Sequence, residues 1–172
     1  MKNYGTKKQR RKNKIIKKNN TLDNKDKISK VKNIKAHKQI NPISEYRRYI
    51  DNAQEMLMNY ARLDRDGFFE DEKYVKVAGD LAYKGLLIVL DALMEKKKYK
   101  IKDRKSIEKY QEFLSKENKK MMKYLNETYR LWHINMGYDG DTSVEIWRLG
   151  LKFANAIVEW AELQLITNKI KK

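Results

Sequence analysis

The sequence predicts an all-α fold, an antiparallel up-and-down bundle of four to five helices preceded by a disordered basic arm. Three observations predict it. Beyond residue 41 apolar residues recur at three- and four-residue spacing. Strand-like alternation of convincing length and internal repeats are both missing. Residues 1 to 41 hold 13 Lys and 2 Arg against Asp23 and Asp26 alone. At 172 residues there is room for one domain, so the organisation is an arm over residues 1–40 and a helical domain over 41–172.

Of the formal net charge of +17, the arm carries +13 and the other 131 residues only +4. From Lys7 to Lys18 the arm reads KKQRRKNKIIKK, and the following residues stay rich in Lys and Asn with scattered Ile and Val. So few apolar side chains cannot offset the backbone entropy lost on folding, which predicts disorder in isolation. Lysines and arginines this dense attract polyanions. Lys7, Lys8, Arg10, Arg11, Lys12, Lys14, Lys17 and Lys18 are therefore candidate contacts to nucleic-acid phosphates, with steep salt dependence and little sequence preference. Tyr4 is the arm's one aromatic residue, so phosphate contacts outweigh base stacking. Anionic lipid ranks below RNA because no lipidation site or amphipathic apolar face accompanies the charge. The plain alternative is a charge run that serves solubility alone.

The first helix opens at Asn41-Pro42, where Asn can cap and Pro gives up no hydrogen bond. Tyr46, Tyr49, Ile50, Ala53, Met56, Leu57, Tyr60 and Ala61 form its apolar face up to about Asp64, before Asp66-Gly67 breaks the chain. The second helix, about Asp71 to Lys96, confines Lys73, Lys76, Asp80, Lys84 and Asp91 to a narrow stripe, which predicts a central helix buried on several sides. Gly79, Ala82 and Gly85 would let a neighbour come close. A shorter helix from Asp103 carries Ile107, Tyr110, Phe113 and Leu114. The fourth, about Glu117 to Met136, carries Met121, Met122, Leu125, Tyr129, Trp132 and Met136, with Gly137 as its terminator. Thr142-Ser143-Val144-Glu145 reads as a capping box opening the last helix, to about Thr167. That helix has two apolar faces: Val144, Trp147, Leu151, Ala154, Val158, Ala161 and Leu165, and nearly opposite them Ile146, Phe153, Ile157 and Trp160. The second face must meet another helix of the domain or a second subunit, and a homodimer through this helix is expected.

Composition removes whole classes of chemistry. With no Cys there are no disulfides, no thiolate catalysis and no Cys-based zinc site. The longest apolar run, Leu86 to Leu90, is far short of the roughly 20 residues a membrane helix needs. The charged start has no apolar stretch behind it and begins Met-Lys-Asn, which argues against a secretory signal or myristoylation. A cytoplasmic location is expected. The loop Asp139-Gly140-Asp141-Thr142-Ser143 alternates Asp like a calcium loop, but Val144 and Gly150 stand where an EF-hand needs Gly and Glu. It reads as a turn plus helix cap. Phosphate-loop, dinucleotide, nucleophile-elbow and zincin motifs are all missing, and no metal or cofactor is expected.

Two histidines remain. His37 lies in the arm without a fixed neighbour and is given no role. His133 borders the apolar stripe of the fourth helix, with Arg130 one turn and Asn126 two turns earlier on the same flank. Such a trio could meet a phosphodiester, Arg holding the anion and His moving a proton. The alternative, which spacing alone favours, is a histidine bordering the core and hydrogen-bonded to a backbone carbonyl.

Two stretches resemble a known family. Ala82-Tyr83 with Leu86, Leu87, Leu90, Ala92 and Leu93 looks like the second helix of HEPN-like bundles. Tyr129-Arg130-Leu131-Trp132-His133, followed by Met136-Gly137-Tyr138-Asp139-Gly140, looks like the end of their motif helix. The segment from about Tyr46 to Glu162 is most similar to an uncharacterised bacterial subfamily of that fold in which patterns like KYVKVAG and MGYDG recur. The resemblance implies a helical bundle, commonly a homodimer with the motif helices facing a shared cleft. In the family's ribonucleases an Arg stands four to six residues before the His. Here positions 126, 127 and 128 are Asn, Glu and Thr, so His133 carries over and the Arg does not. The expectation is an RNA-associated module that is non-catalytic or weakly catalytic. A ribonuclease using His133, Arg130 and Asn126, and a toxin–antitoxin interaction subunit, are the alternatives.

Overall fold

A computed structural model describes residues 41–100 and 104–167. The arm, its Lys7–Lys18 block and His37 lie outside the described residues. Among the described residues there are five helical segments. Helix α1 spans Pro42–Glu55 and continues as wider π-helical turns over Met56–Ala61; α2 spans Glu72–Lys96 and α3 spans Ile107–Glu117. Helix α4 spans Lys119–Thr128 and widens into a π-helix over Tyr129–Asp139; α5 spans Val144–Ile166.

Local chemistry sets most of the boundaries. Asn41 Oδ1 accepts the Ile43 N–H at 2.9 Å, Asp71 accepts that of Lys73 at 2.9 Å, and Asn118 accepts those of Lys120 and Met121 at 3.0 and 3.3 Å. Because Asn118 has extended backbone angles, it ends α3 as it caps α4. The fourth helix thus starts at Lys119, and the third after Ser106, later than the Asp103 expected. Widening at Met56 rotates Tyr60 off the apolar face, and the residue is exposed. Arg62, at φ 54°, ends α1 before Asp64.

The expected capping box does not form. Ser143, not Thr142, is the N-cap residue, and its side chain makes no capping bond. A carbonyl from another loop takes that role: Val144 N–H donates to Gly67 O at 3.0 Å, while Phe69 N–H donates to Thr142 O at 2.8 Å. Asp141 Oδ1 accepts the Ser143 N–H at 3.0 Å, a tight turn as expected. These contacts join the α1–α2 and α4–α5 loops at one end of the bundle. Toward the other end Lys97 pairs with Glu117 at 2.8 Å, and Lys96 Nζ donates to Gln164 O at 2.8 Å.

Helix α2 is central, as its apolar circumference predicts. It packs on α1, on α5 and on the widened half of α4, and buries Val75, Ala78, Ala82, Leu86, Val89, Leu90 and Leu93 completely. Its closest approach is at Gly79, where a Cβ would lie 2.5 Å from Trp132 O and 2.9 Å from Gly137 N. Gly137 is therefore inside the helix it was expected to end, and Gly140, at φ 77°, ends it. On α5 both faces find partners within the domain. Ile157 is fully buried, the Phe153 ring lies 5.1 Å from that of Tyr124 on α4, and Ile146 and Trp160 pack partly buried on the core. Ile146, Phe153 and Trp160 keep part of their surface exposed. Among the described residues no helix is long and apolar enough to cross a membrane.

Candidate functional site

Three segments line an open cleft of about 580 Å³. Helix α2 supplies Tyr83, Lys84, Leu87, Ile88 and Asp91, one face of that helix. The chain entering α3 supplies Lys105 to Glu108 and then Tyr110; the widened half of α4 supplies Tyr129 and His133. Leu87, Ile88 and Ile107 make the lining apolar, and charged groups stand around it.

Asp91 ties two of these segments together. Its Oδ1 accepts the Tyr110 hydroxyl at 2.9 Å, and its Oδ2 accepts Lys105 Nζ at 2.7 Å. Burial, reinforced by the bond to Asp91, pushes the Tyr110 hydroxyl well above the ordinary tyrosine range. Lys105 is mostly exposed, so the ion pair adds under about 1 kcal/mol; its value is in holding the approach to α3 against α2. At the α3 entrance, the Ser106 hydroxyl beside Glu108 holds that carboxyl below its usual range.

His133 sits among rings. Its centroid is 5.1 Å from Tyr83 at 25° between planes and 5.2 Å from Tyr129 at 37°, and the two tyrosines meet edge-on at 5.7 Å. Nδ1 lies 3.4 Å from Asp80 Oδ1, too long for a strong hydrogen bond, and the side chain keeps 43% of its surface exposed. Tyr83 is the buried member, and burial raises its hydroxyl far above the ordinary value.

The other two sequence candidates have partners elsewhere. Arg130 Nη2 pairs with Glu127 Oε2 at 2.7 Å. Asn126 Oδ1 accepts Gln111 Nε2 at 2.9 Å, and its Nδ2 contacts Met122 Sδ at 3.4 Å. Neither lines the cleft. The flank shared by Asn126, Arg130 and His133 presumes a regular α-helix, but the helix widens at Tyr129, between Asn126 and the other two. His133 is brought together with Tyr83, Tyr129 and Asp80 instead. Among the described residues, the cleft offers ring surface, two lysines and two carboxylates, and no guanidinium is in its lining.

Sequence reasoning missed Lys84, Asp91, Lys105 and Tyr110 as site residues. For two of them a signal existed: Lys84 and Asp91 belong to the narrow polar stripe of a helix apolar around most of its circumference. Lys105 and Tyr110 are placed by tertiary contacts that no spacing rule contains. Among the described residues no group of three His, Asp or Glu side chains could hold a metal ion.

A family model described as "Domain of unknown function (DUF5618)" matches residues 41–163. A solved structure of a protein of unknown function from Dyadobacter fermentans is similar at 36% identity and a TM-score of 0.65, covering 70% of this chain and 94% of that one. No curated protein matches.

Proposed function

We propose that this chain, which belongs to the DUF5618 family, is an RNA-associated, HEPN-like bundle that binds phosphates through its basic arm and does not cleave them. The observation that carries this reading is the charge asymmetry: +13 of the +17 resides in 41 residues that hold almost nothing to bury. A segment of that kind gains affinity by releasing counterions from a polyanion, and its affinity is sequence-tolerant and salt-sensitive. Support for a non-catalytic domain comes from the partners of Arg130 and Asn126, which hold both side chains away from the cleft onto which His133 opens, so that the expected Asn126–Arg130–His133 trio is not assembled among the described residues.

One observation favours a second reading. His133 opens onto a cleft of ligand size, which suits a metal-independent ribonuclease with His133 as its proton-transfer group. The two readings separate when binding and cleavage of single-stranded RNA are measured side by side. Full-length protein, a chain starting at Asn41 and His133→Ala are compared. The first reading expects binding lost with the arm and no cleavage in any form. Cleavage abolished by His133→Ala alone would overturn it. Binding unchanged without the arm would also overturn it, and protein partners, as in a toxin–antitoxin pair, would then be the class to pursue.

A further inference from the structure

We propose that the cleft between α2, the entrance of α3 and the widened half of α4 is a nucleotide site, taking one base against the His133 and Tyr129 rings and its phosphate at Lys84 and Lys105. The proposal rests on the RNA-associated reading for its choice of ligand and goes beyond it, because the arm's charge implies no base recognition and no defined pocket.

Size comes first. A cleft of about 580 Å³ lies within the range of small-ligand sites, roughly 300–1,000 Å³, and its apolar lining with a few convergent polar groups has the composition of one. The wall is suited to a flat π-system. His133 and Tyr129 keep ring surface exposed, and both are braced from behind by Tyr83, whose centroid lies 5.1 and 5.7 Å from theirs. A base stacked on such rings gains about 1–3 kcal/mol whatever its identity. Leu87, Ile88 and Ile107 would cover the apolar parts of the nucleoside.

Charge sits at the rim. Lys84 is paired with no carboxylate among the described residues; its ammonium lies 6.0 Å from the Tyr49 ring centroid, a weak contact that a phosphate would outbid. Lys105 is held at Asp91 by an exposed pair that is cheap to break. Asp91 and Glu108 are acceptors for base amino groups or sugar hydroxyls, which a simple anion pocket would not include. Rings, cations and acceptors together match a nucleotide better than a lipid headgroup or free phosphate.

The shared chemistry could come from a free nucleotide or from one unit of an RNA, and the test separates them. Nucleoside monophosphates of guanine and uracil are titrated calorimetrically into full-length protein, and a labelled single-stranded oligonucleotide is followed by anisotropy. Three variants are compared: Ile88→Trp, which fills the cleft; Lys84→Gln; and an arm in which the Lys7–Lys18 block is changed to Gln. Saturable monophosphate binding is expected, lost in Ile88→Trp and weakened about tenfold in Lys84→Gln, the factor for one charge-assisted hydrogen bond. The corresponding nucleosides, which lack the phosphate, should not distinguish Lys84→Gln from wild type. Lys84 is exposed, so this comparison stands even if Ile88→Trp fails to fold.

Monophosphates that do not bind, or that bind wild type and Lys84→Gln alike, overturn the proposal. If the oligonucleotide binds through the arm while monophosphates do not, the cleft proposal fails and the RNA reading stands. If monophosphates bind as predicted while the oligonucleotide does not, the RNA reading fails and the cleft is a free-nucleotide site. Oligonucleotide binding weakened by Ile88→Trp places an RNA unit in the cleft.

Discussion

Helix α2 and the second half of α4 touch along one line, at Gly79 and Trp132, yet they are different kinds of helix. The first is 25 residues of unbroken α-helix; the second is 11 residues of π-helix, a form that occupies well under 1% of residues in globular proteins. Apolar residues surround α2, so any regular helix buries them well. The Tyr129–Asp139 stretch crowds Tyr129, Trp132, His133 and Met136 into little more than two turns, and its neighbours decide where those groups go. Trp132 is fully buried, stacks on Trp147 at 5.4 Å, and leaves its Nε1 without a partner. A buried orphan donor costs about 1–3 kcal/mol. The regular helix supplies stability, and the costly one supplies the wall of the cleft.

Breaking the contact between the two helices should have the largest effects. Trp132→Ala should lose about 3–5 kcal/mol in urea unfolding, because a large fully buried ring leaves a cavity that α2 cannot collapse into. Gly79→Ala should lose about 1–3 kcal/mol, since its Cβ meets backbone atoms of the widened helix, which cannot move aside as a side chain would. A Gly79→Ala protein as stable as wild type would mean that the close approach is not a constraint.

Smaller effects sharpen the same comparison. At the regular boundary between α3 and α4, Asn118→Ala should cost about 1 kcal/mol for the lost cap. Arg130→Ala should change stability by less than about 0.5 kcal/mol, because its partner Glu127 is an exposed neighbour on the same helix, and it should leave RNA affinity nearly unchanged.

Alkaline titration tests the burial of three tyrosine rings, two of them in the cleft. The hydroxyls of Tyr46, Tyr83 and Tyr110 are raised by burial above their unfolded value of 10.0. A group whose folded value is raised adds stability that is fully present below the unfolded value and is lost as pH climbs beyond it. The protein should therefore weaken above about pH 10, and tyrosinate absorbance should show these rings ionising only as the fold opens. Ionisation of all tyrosines near pH 10 with the fold intact would contradict their placement.

What the sequence made legible follows from chemistry that is local. Asn41-Pro42 marked the start of α1 because cap and proline need no tertiary partner. The circumference of α2 marked it as central, and Gly79 and Gly85 marked close approaches, which Trp132 and Tyr49 fill. Two apolar faces on α5 were also legible, though not which of two partners would cover the second. The π-helical turns were not legible, since a pattern fitted at 3.6 residues per turn continues smoothly through Tyr129. Nor was the replacement of the Thr142 cap by Gly67 O, a carbonyl some 75 positions away. The cleft was half legible: His133 was singled out from its position, but the companions inferred for it by helical spacing were Arg130 and Asn126. The structure supplies Tyr83, Tyr129 and Asp80, with Lys84 and Lys105 at the rim.

The central claim is that the arm supplies most of the affinity for RNA. Its most direct test is the slope of log Kd against log salt for a single-stranded oligonucleotide, measured for the full chain and for a chain starting at Asn41. Eight basic residues in the Lys7–Lys18 block, each displacing about 0.7 of a counterion, predict a slope near 5 to 6 for the full chain. Without the arm the slope should collapse, with binding weakened by orders of magnitude. Equal slopes and equal affinities for the two chains would contradict the account.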